Sequence, residues 1–139
     1  MDFTGKHIVV LGMGETGLSA ARWLHARGAR VRLADSREAP PHLDKLRDDF
    51  TYAEIYTGPF DRHTFAGCDL AVISPGVPIA TPAIADAIAG GLPVIGDVEL
   101  FAQAIAGWKS RVIAITGANG KTTVTTLVGQ ICMDAGLET

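Results

Sequence analysis

The sequence predicts an α/β chain built on a parallel sheet with helices on both faces. Short apolar runs recur at His7–Leu11, Val31–Ala34, Leu70–Ile73 and Pro93–Ile95. Stretches of helical pattern separate them, and glycine or proline punctuates many of the joins. The third observation is compositional: 47% of the 139 residues are hydrophobic, enough for a real core and too many for a disordered tail.

The elements follow in order. His7-Ile8-Val9-Val10-Leu11 is a continuous apolar run stopped by Gly12, the mark of a strand buried on both faces. A helix is predicted from about Thr16 to Arg27, with Leu18, Ala21, Trp23 and Leu24 on its inner stripe and Gly28 as its stop. The second strand, Val31–Ala34, ends on Asp35. Pro40 and Pro41 open a polar helix at 42–49, and the charges between Arg37 and Asp49 are its solvated face. A third strand is expected at 53–56. Leu70–Ile73 is the fourth strand, ended by Ser74-Pro75-Gly76. A helix at 82–89 carries Pro82 in its first turn, Pro93–Ile95 makes a short fifth strand, and 98–106 reads as the next helix.

Gly107 to Arg111 is the predicted boundary, so residues 1–109 form one domain and 110–139 open another. In the second, Val112–Thr116 is predicted as a buried strand, followed by a glycine-rich turn and a helix over 121–135. A lone strand and helix cannot cover their own apolar faces. The expectation is therefore a truncated second domain, with Val112–Ile115, Val124, Leu127, Val128 and Ile131 uncovered. Such a tail is expected to be mobile, packed back on the first domain, or buried by self-association with another copy.

Several classes are excluded. A net charge of −3 argues against a dedicated nucleic-acid binder, which would carry a basic stripe. No apolar run is long enough for a membrane span, and the N-terminus lacks the basic start and apolar stretch of a signal peptide. Cys68 and Cys132 sit apart in apolar surroundings, so no disulfide framework is expected and the compartment is cytoplasmic. His7, His25, His42 and His63 share no metal-ligand spacing. Trp23 and Trp108 read as packing residues, and no nucleophile–histidine pairing is evident.

Two motifs carry chemistry. Gly12-Met13-Gly14-Glu15-Thr16-Gly17 fits G-x-G-x-x-G between a predicted strand and helix, the Rossmann-like arrangement. Glycine is needed there for the tight bend, for backbone approach to a pyrophosphate, and for close packing of helix on strand. The free N–H groups of the helix start then face phosphate oxygens. Asp35 lies 21 residues after Gly14, where an acid can accept from a ribose hydroxyl or a base, with Ser36 and Arg37 on the same loop. The pattern leaves open a dinucleotide or another nucleotide diphosphate. Glu15 is awkward beside phosphate and must point into solvent. The second motif is Thr116-Gly117-Ala118-Asn119-Gly120-Lys121-Thr122-Thr123. Its end is that of a phosphate loop: backbone N–H groups cradle phosphates, Lys121 reaches β/γ oxygens, and the Thr122 hydroxyl ligates Mg²⁺. Ile115 occupies the first glycine position of the general G-x-x-x-x-G-K-[ST] rule, so this is a shorter variant.

Together the motifs resemble the Mur ligase family over essentially the whole chain. The likeness also rests on Asp35-Ser36-Arg37, Ser74-Pro75-Gly76-Val77 and Gly96-Asp97-Val98-Glu99-Leu100-Phe101, and the amino-terminal segments narrow it to the D-glutamate-adding members. The resemblance implies a first domain that holds the UDP part of UDP-N-acetylmuramoyl-L-alanine, a second that binds ATP with Mg²⁺, and a third that brings D-glutamate. It implies that Gly14, Glu15, Thr16 and Gly17 hold the diphosphate, that Asp35, Ser36 and Arg37 frame the uracil, and that Ser74, Pro75 and Gly76 line the same cleft. It further implies that residues 116–123 bind ATP, with Lys121 as the catalytic cation and Thr122 as a metal ligand. The implied reaction phosphorylates the substrate carboxylate, and the amine of D-glutamate then displaces phosphate to form the amide.

Two departures stand out. Glu15 replaces a more usual apolar residue, so the diphosphate contact there is expected from backbone alone. The rest of the ATP domain and the D-glutamate site lie outside these 139 residues, so the isolated chain is expected to be inactive. The rival readings are an NAD(P)-dependent oxidoreductase and a non-catalytic nucleotide-sensing domain. Both leave Gly120-Lys121-Thr122 unexplained.

Overall fold

The computed structural model describes residues 2–51, 53–109 and 111–137. The chain divides into two compact units, Met1–Gly107 and Trp108–Thr139. Ser110, within the predicted boundary, lies outside the described residues.

The first unit alternates strands and helices: β1 (His7–Leu11), α1 (Glu15–His25), β2 (Arg30–Asp35), α2 (Leu43–Asp49), β3 (Glu54–Thr57), α3 (Arg62–Phe65), β4 (Leu70–Ile73), α4 (Pro82–Ala89), β5 (Val94–Gly96) and α5 (Asp97–Ile105). The five strands form one parallel sheet in the order β3-β2-β1-β4-β5. This is the Rossmann-like α/β class that the apolar runs predict. The one-turn α3 is an addition. Asp61 caps it by accepting from the N–H groups of His63 and Thr64, while the Thr64 hydroxyl accepts from the Asp61 N–H. That reciprocal cap is written in the sequence as Asp-x-x-Thr, a signal too short to stand out beside the long apolar runs.

Side-chain alternation along β1 builds two core layers. Ile8 and Val10 pack with Leu18, Ala21 and Leu24 of α1, Leu46 of α2 and Leu100 of α5. Val9 and Leu11 face the other way, with Phe65 of α3 and Ile84 of α4. The four β1 residues from Ile8 to Leu11 are fully buried, as a central parallel strand requires. Trp23 sits at the margin of the inner stripe, edge-on to Phe3 at 5.7 Å, with the Arg27 guanidinium 3.8 Å from its ring centre.

Arg32 is one of three buried polar residues among those described, with Asp35 and Thr64. It is 5% exposed within β2 and ion-pairs with Glu54. Its Nη1 also donates to the carbonyls of His63, Thr64 and Ala66 at 3.1, 3.2 and 2.8 Å. A buried guanidinium thus satisfies the carbonyls around the end of a one-turn helix, which have few intrahelical donors of their own.

The second unit contains α6 (Lys121–Asp134), close to the predicted 121–135. The strand predicted at Val112–Thr116 is not formed: residues 111–117 take no regular secondary structure. A strand exists only as part of a hydrogen-bonded ladder, and the described residues of this unit include no second strand to pair with. Val112, Ile113, Val124, Leu127 and Ile131 are accordingly exposed. Among the described residues no helix is long and apolar enough to cross a membrane.

Replacing Arg32 by alanine should strand three carbonyls and cost ~3 kcal/mol of unfolding free energy. Glu54→Ala should cost about 1 kcal/mol or less, since Glu54 is half exposed and Arg32 keeps its carbonyl partners. Urea denaturation of the two variants checks the order.

Candidate functional site

Strand register brings the predicted site segments together. Leu11 of β1 pairs with Ala34 of β2 on one side and Ile73 of β4 on the other. The three strands therefore end flush, and the loops that follow them stand side by side. The chain adds β2 and β3 on one side of β1 and then turns back to β4 and β5 on the other. The crevice where that order reverses is where open α/β sheets bind ligands. A cleft of about 440 Å³ lies there. It is lined by Gly12, Gly14, Glu15 and Thr16 from the first turn, Asp35 to Arg37 from the second, and Ser74 to Val77 from the third. Gly17 stands behind this lining.

The three glycines of the first motif are there for different physical reasons. Gly12 has φ +97°, and a Cβ there would sit 3.0 Å from Cβ of Ser74. At Gly17 a Cβ would lie 1.8 Å from the carbonyl oxygen of Gly12, a backbone clash that only glycine avoids. Gly14 is unlike both. Its φ of −87° suits any residue, and a Cβ would meet no protein atom within 4 Å. Nothing in the fold demands glycine at 14, and what a side chain there would occupy is open space in the cleft.

Gly14 is also the N-cap of α1, and no side chain caps the helix. Its first N–H groups therefore remain available beside the cleft, with the positive end of the helix dipole behind them. The Glu15 side chain is 85% exposed, as the sequence requires of an acid in this turn, and its Oε1 lies 3.0 Å from Nε2 of His42.

Asp35 does something the motif alone does not reveal. Its side chain is buried, and both oxygens are occupied by the protein. Oδ2 accepts from the Met13 N–H at 2.7 Å and from Arg37 Nη2 at 2.7 Å. Oδ1 accepts from the Arg37 N–H at 2.9 Å and Arg37 Nε at 2.8 Å. Burial alone would raise the pKa of this carboxyl. The hydrogen bonds from the Arg37 side chain and from the N–H groups of Met13 and Arg37, with the Arg37 charge, outweigh burial and hold it below the ordinary carboxylate range. Asp35 thus braces the glycine turn and aims the half-exposed Arg37 along the cleft.

The second predicted site belongs to the second unit. Residues 116–123 run into α6, whose N-cap is Gly120 and which no side chain caps. Lys121, Thr122 and Thr123 are exposed, and Lys121 Nζ donates to the Gly117 carbonyl at 2.6 Å. The ammonium, the exposed Thr122 hydroxyl and the uncapped N–H groups form a donor set that suits a phosphate with its Mg²⁺. Among the described residues no group of three or more His, Cys, Asp or Glu side chains could hold a metal. A larger hollow of about 770 Å³ lies between α3 and α4 at the opposite end of β4 and β5. Asp61, Asp69 and Asp86 line it against Arg62, a balance that repels phosphate.

Residues 6–96 match the family described as Mur ligase MurD-like, N-terminal domain. The chain belongs to that family. It is 57% identical over 139 residues to the UDP-N-acetylmuramoylalanine–D-glutamate ligase of Methylobacillus flagellatus, covering 100% of this chain and 30% of that protein. It is 52% identical to the ligase of the same name from Chromobacterium violaceum, covering 100% of this chain and 31% of that one. The chain thus spans about 30% of the length of the curated relatives it matches. Among solved structures, a murein peptide ligase from Psychrobacter arcticus superimposes with TM-score 0.64 at 27% identity, over 95% of this chain and 27% of that one. The UDP-N-acetylmuramate–alanine ligase MurC from Thermotoga maritima gives TM-score 0.62 at 25% identity, over 91% of this chain and 29% of that one. The Mur ligase resemblance implied by the motifs is borne out. A shikimate dehydrogenase from Aquifex aeolicus, at 15% identity and TM-score 0.52, shares the fold alone.

Three substitutions probe this Mur ligase domain. Gly17→Ala should lose ~3 kcal/mol or more of stability or fail to fold. Gly14→Ala should melt within about 1 kcal/mol of the parent in the same denaturation series. Because the Asp35 pKa is lowered on folding, its contribution is full above the unfolded carboxylate pKa and is lost as pH falls through the folded one. Asp35→Ala should cost ~2 kcal/mol at neutral pH, since it leaves the buried Met13 N–H unpaired, and should flatten the acid limb of the stability–pH curve.

Proposed function

We propose that the chain is the amino-terminal part of a cytoplasmic, ATP-dependent ligase of peptidoglycan precursor synthesis that joins D-glutamate to UDP-N-acetylmuramoyl-L-alanine. In this reading residues 1–109 hold the UDP end of the substrate, and 110–139 open the ATP-binding domain. The observation that carries it is Gly14: a glycine the fold does not require, at an uncapped helix start, facing an open cleft. A diphosphate is the ligand for which bare backbone at that point is useful. The MurD-like family match over 6–96 supports the choice of a UDP-linked substrate over a dinucleotide.

The roles follow from the residues. The N–H groups of Glu15, Thr16 and Gly17 receive the diphosphate oxygens. Arg37, aimed by Asp35, and Ser36 border the uracil, while Ser74, Pro75 and Gly76 close the cleft from the β4 side. On the second unit, the N–H groups of 117–123 cradle the ATP phosphates and Thr122 would hold Mg²⁺. Mg²⁺ supplies charge neutralisation of the phosphoryl group in transfer. Lys121 exchanges its contact with the Gly117 carbonyl for phosphate oxygens and stabilises the same charge. The γ-phosphoryl passes to the terminal carboxylate of the muramoyl substrate as ADP departs. The amine of D-glutamate then displaces phosphate. D-glutamate recognition belongs to sequence beyond these residues, so the 139-residue chain binds without catalysing ligation.

The test is a titration of the chain with UDP-N-acetylmuramoyl-L-alanine, followed by amide spectra and calorimetry. Weak saturable binding that shifts the amides of Gly14, Thr16 and Arg37 is expected, with no matching response to NADH and poor affinity for ATP. Tight NADH binding without a UDP-ligand response would overturn the proposal in favour of a dinucleotide domain.

A further inference from the structure

Three charged residues line the cleft: Glu15, Asp35 and Arg37. Asp35 and Arg37 pair with each other, so Glu15 leaves a site for an anion with one net negative charge. Glu15 is the first residue of α1, next to the N–H groups that would receive the diphosphate. Left to itself, its carboxylate would compete with the ligand for that positive helix end.

His42 stands beside this carboxylate. It is the N-cap of α2, yet its side chain makes no capping bond to its own helix. Instead Nε2 lies 3.0 Å from Glu15 Oε1, with the imidazole only 23% exposed. His42 is not among the residues that line the cleft, so the contact draws the carboxylate toward α2.

We propose that His42 is a positioning residue for diphosphate binding, holding the Glu15 carboxylate out of the path and field of the anion. This rests on the diphosphate reading of the cleft. It explains how an acid is tolerated at the first position of an anion-binding helix: α2 carries the partner that turns it aside. The interaction is between exposed or half-buried groups, so its effect is modest and sensitive to salt.

The test is calorimetric binding of UDP-N-acetylmuramoyl-L-alanine to the 139-residue chain and to His42→Ala, Glu15→Gln and the double variant. At low salt His42→Ala should weaken binding by about threefold, a loss that shrinks toward nothing at high salt. Glu15→Gln should bind at least as tightly as the parent, and adding His42→Ala to it should cost nothing further. His42→Gln, which keeps an N–H donor, should bind within about twofold of the parent and serves as the second probe should His42→Ala fold poorly. Two results overturn the inference alone while the parent binds normally. One is a His42→Ala variant that matches the parent. The other is a loss that persists undiminished in the Glu15→Gln background or at high salt, the sign of a merely structural role. Failure of the parent itself to bind overturns the cleft reading and this proposal with it.

Discussion

The Asp35 carboxylate is the constraint on which the first site depends. It accepts the buried N–H of Met13, inside the glycine turn, and three N–H groups of Arg37 on the neighbouring loop. Two loops that follow different strands are thereby tied at one point, at the crevice where the sheet reverses its order. A carboxylate buried this way is stable only because every lone-pair direction has a donor, and the donors in turn hold its charge. The ordinary expectation for an acid at the end of the second strand is direct contact with a ligand. Here its capacity is spent on the protein, and Arg37 and the backbone are what it presents to the cleft.

Around that brace, the glycine motif separates into parts with different physical tasks. Gly17 lets α1 approach β1 to a distance no Cβ permits, and Gly12 makes the bend. These two are architecture. Gly14 alone leaves a space that the protein itself does not fill, which is why the ligand argument rests on it rather than on the motif as a whole. The same distinction bears on Glu15. The backbone of position 15 contributes to the helix start, whereas its side-chain Oε1 lies beside Nε2 of His42.

The second unit shows how much a short strand and helix owe to their surroundings. α6 forms at nearly the predicted limits, because helix hydrogen bonds are internal to the segment. The apolar run before it does not become a strand, because strand hydrogen bonds must be supplied by another segment. At the start of α6, Lys121, Thr122 and the N–H groups that no side chain caps stand together. Val112, Ile113, Val124, Leu127 and Ile131 stay exposed, while Ile115 and Val128 are half-buried.

The sequence by itself determined the parallel α/β class, five strands of the first unit, the helices between them apart from the one-turn α3, and the three segments that line the cleft. It did so because buried parallel strands are written as continuous apolar runs, and because glycine and proline mark their ends. The Mur ligase likeness was legible from the same segments, since it is carried by short loops of fixed spacing. Tertiary structure alone decided the rest. Arg32 reads as one charge in a strand, and only packing shows it buried on the carbonyls of α3. Asp35 reads as a ligand acceptor, and only the meeting of two loops shows its oxygens occupied. His42 carries no motif, and its contact with Glu15 arises because α1 and α2 lie on the same face of the sheet. Spacing along the chain fixes which backbone segments can form, but which polar groups satisfy one another is settled only by what the fold brings within hydrogen-bonding distance.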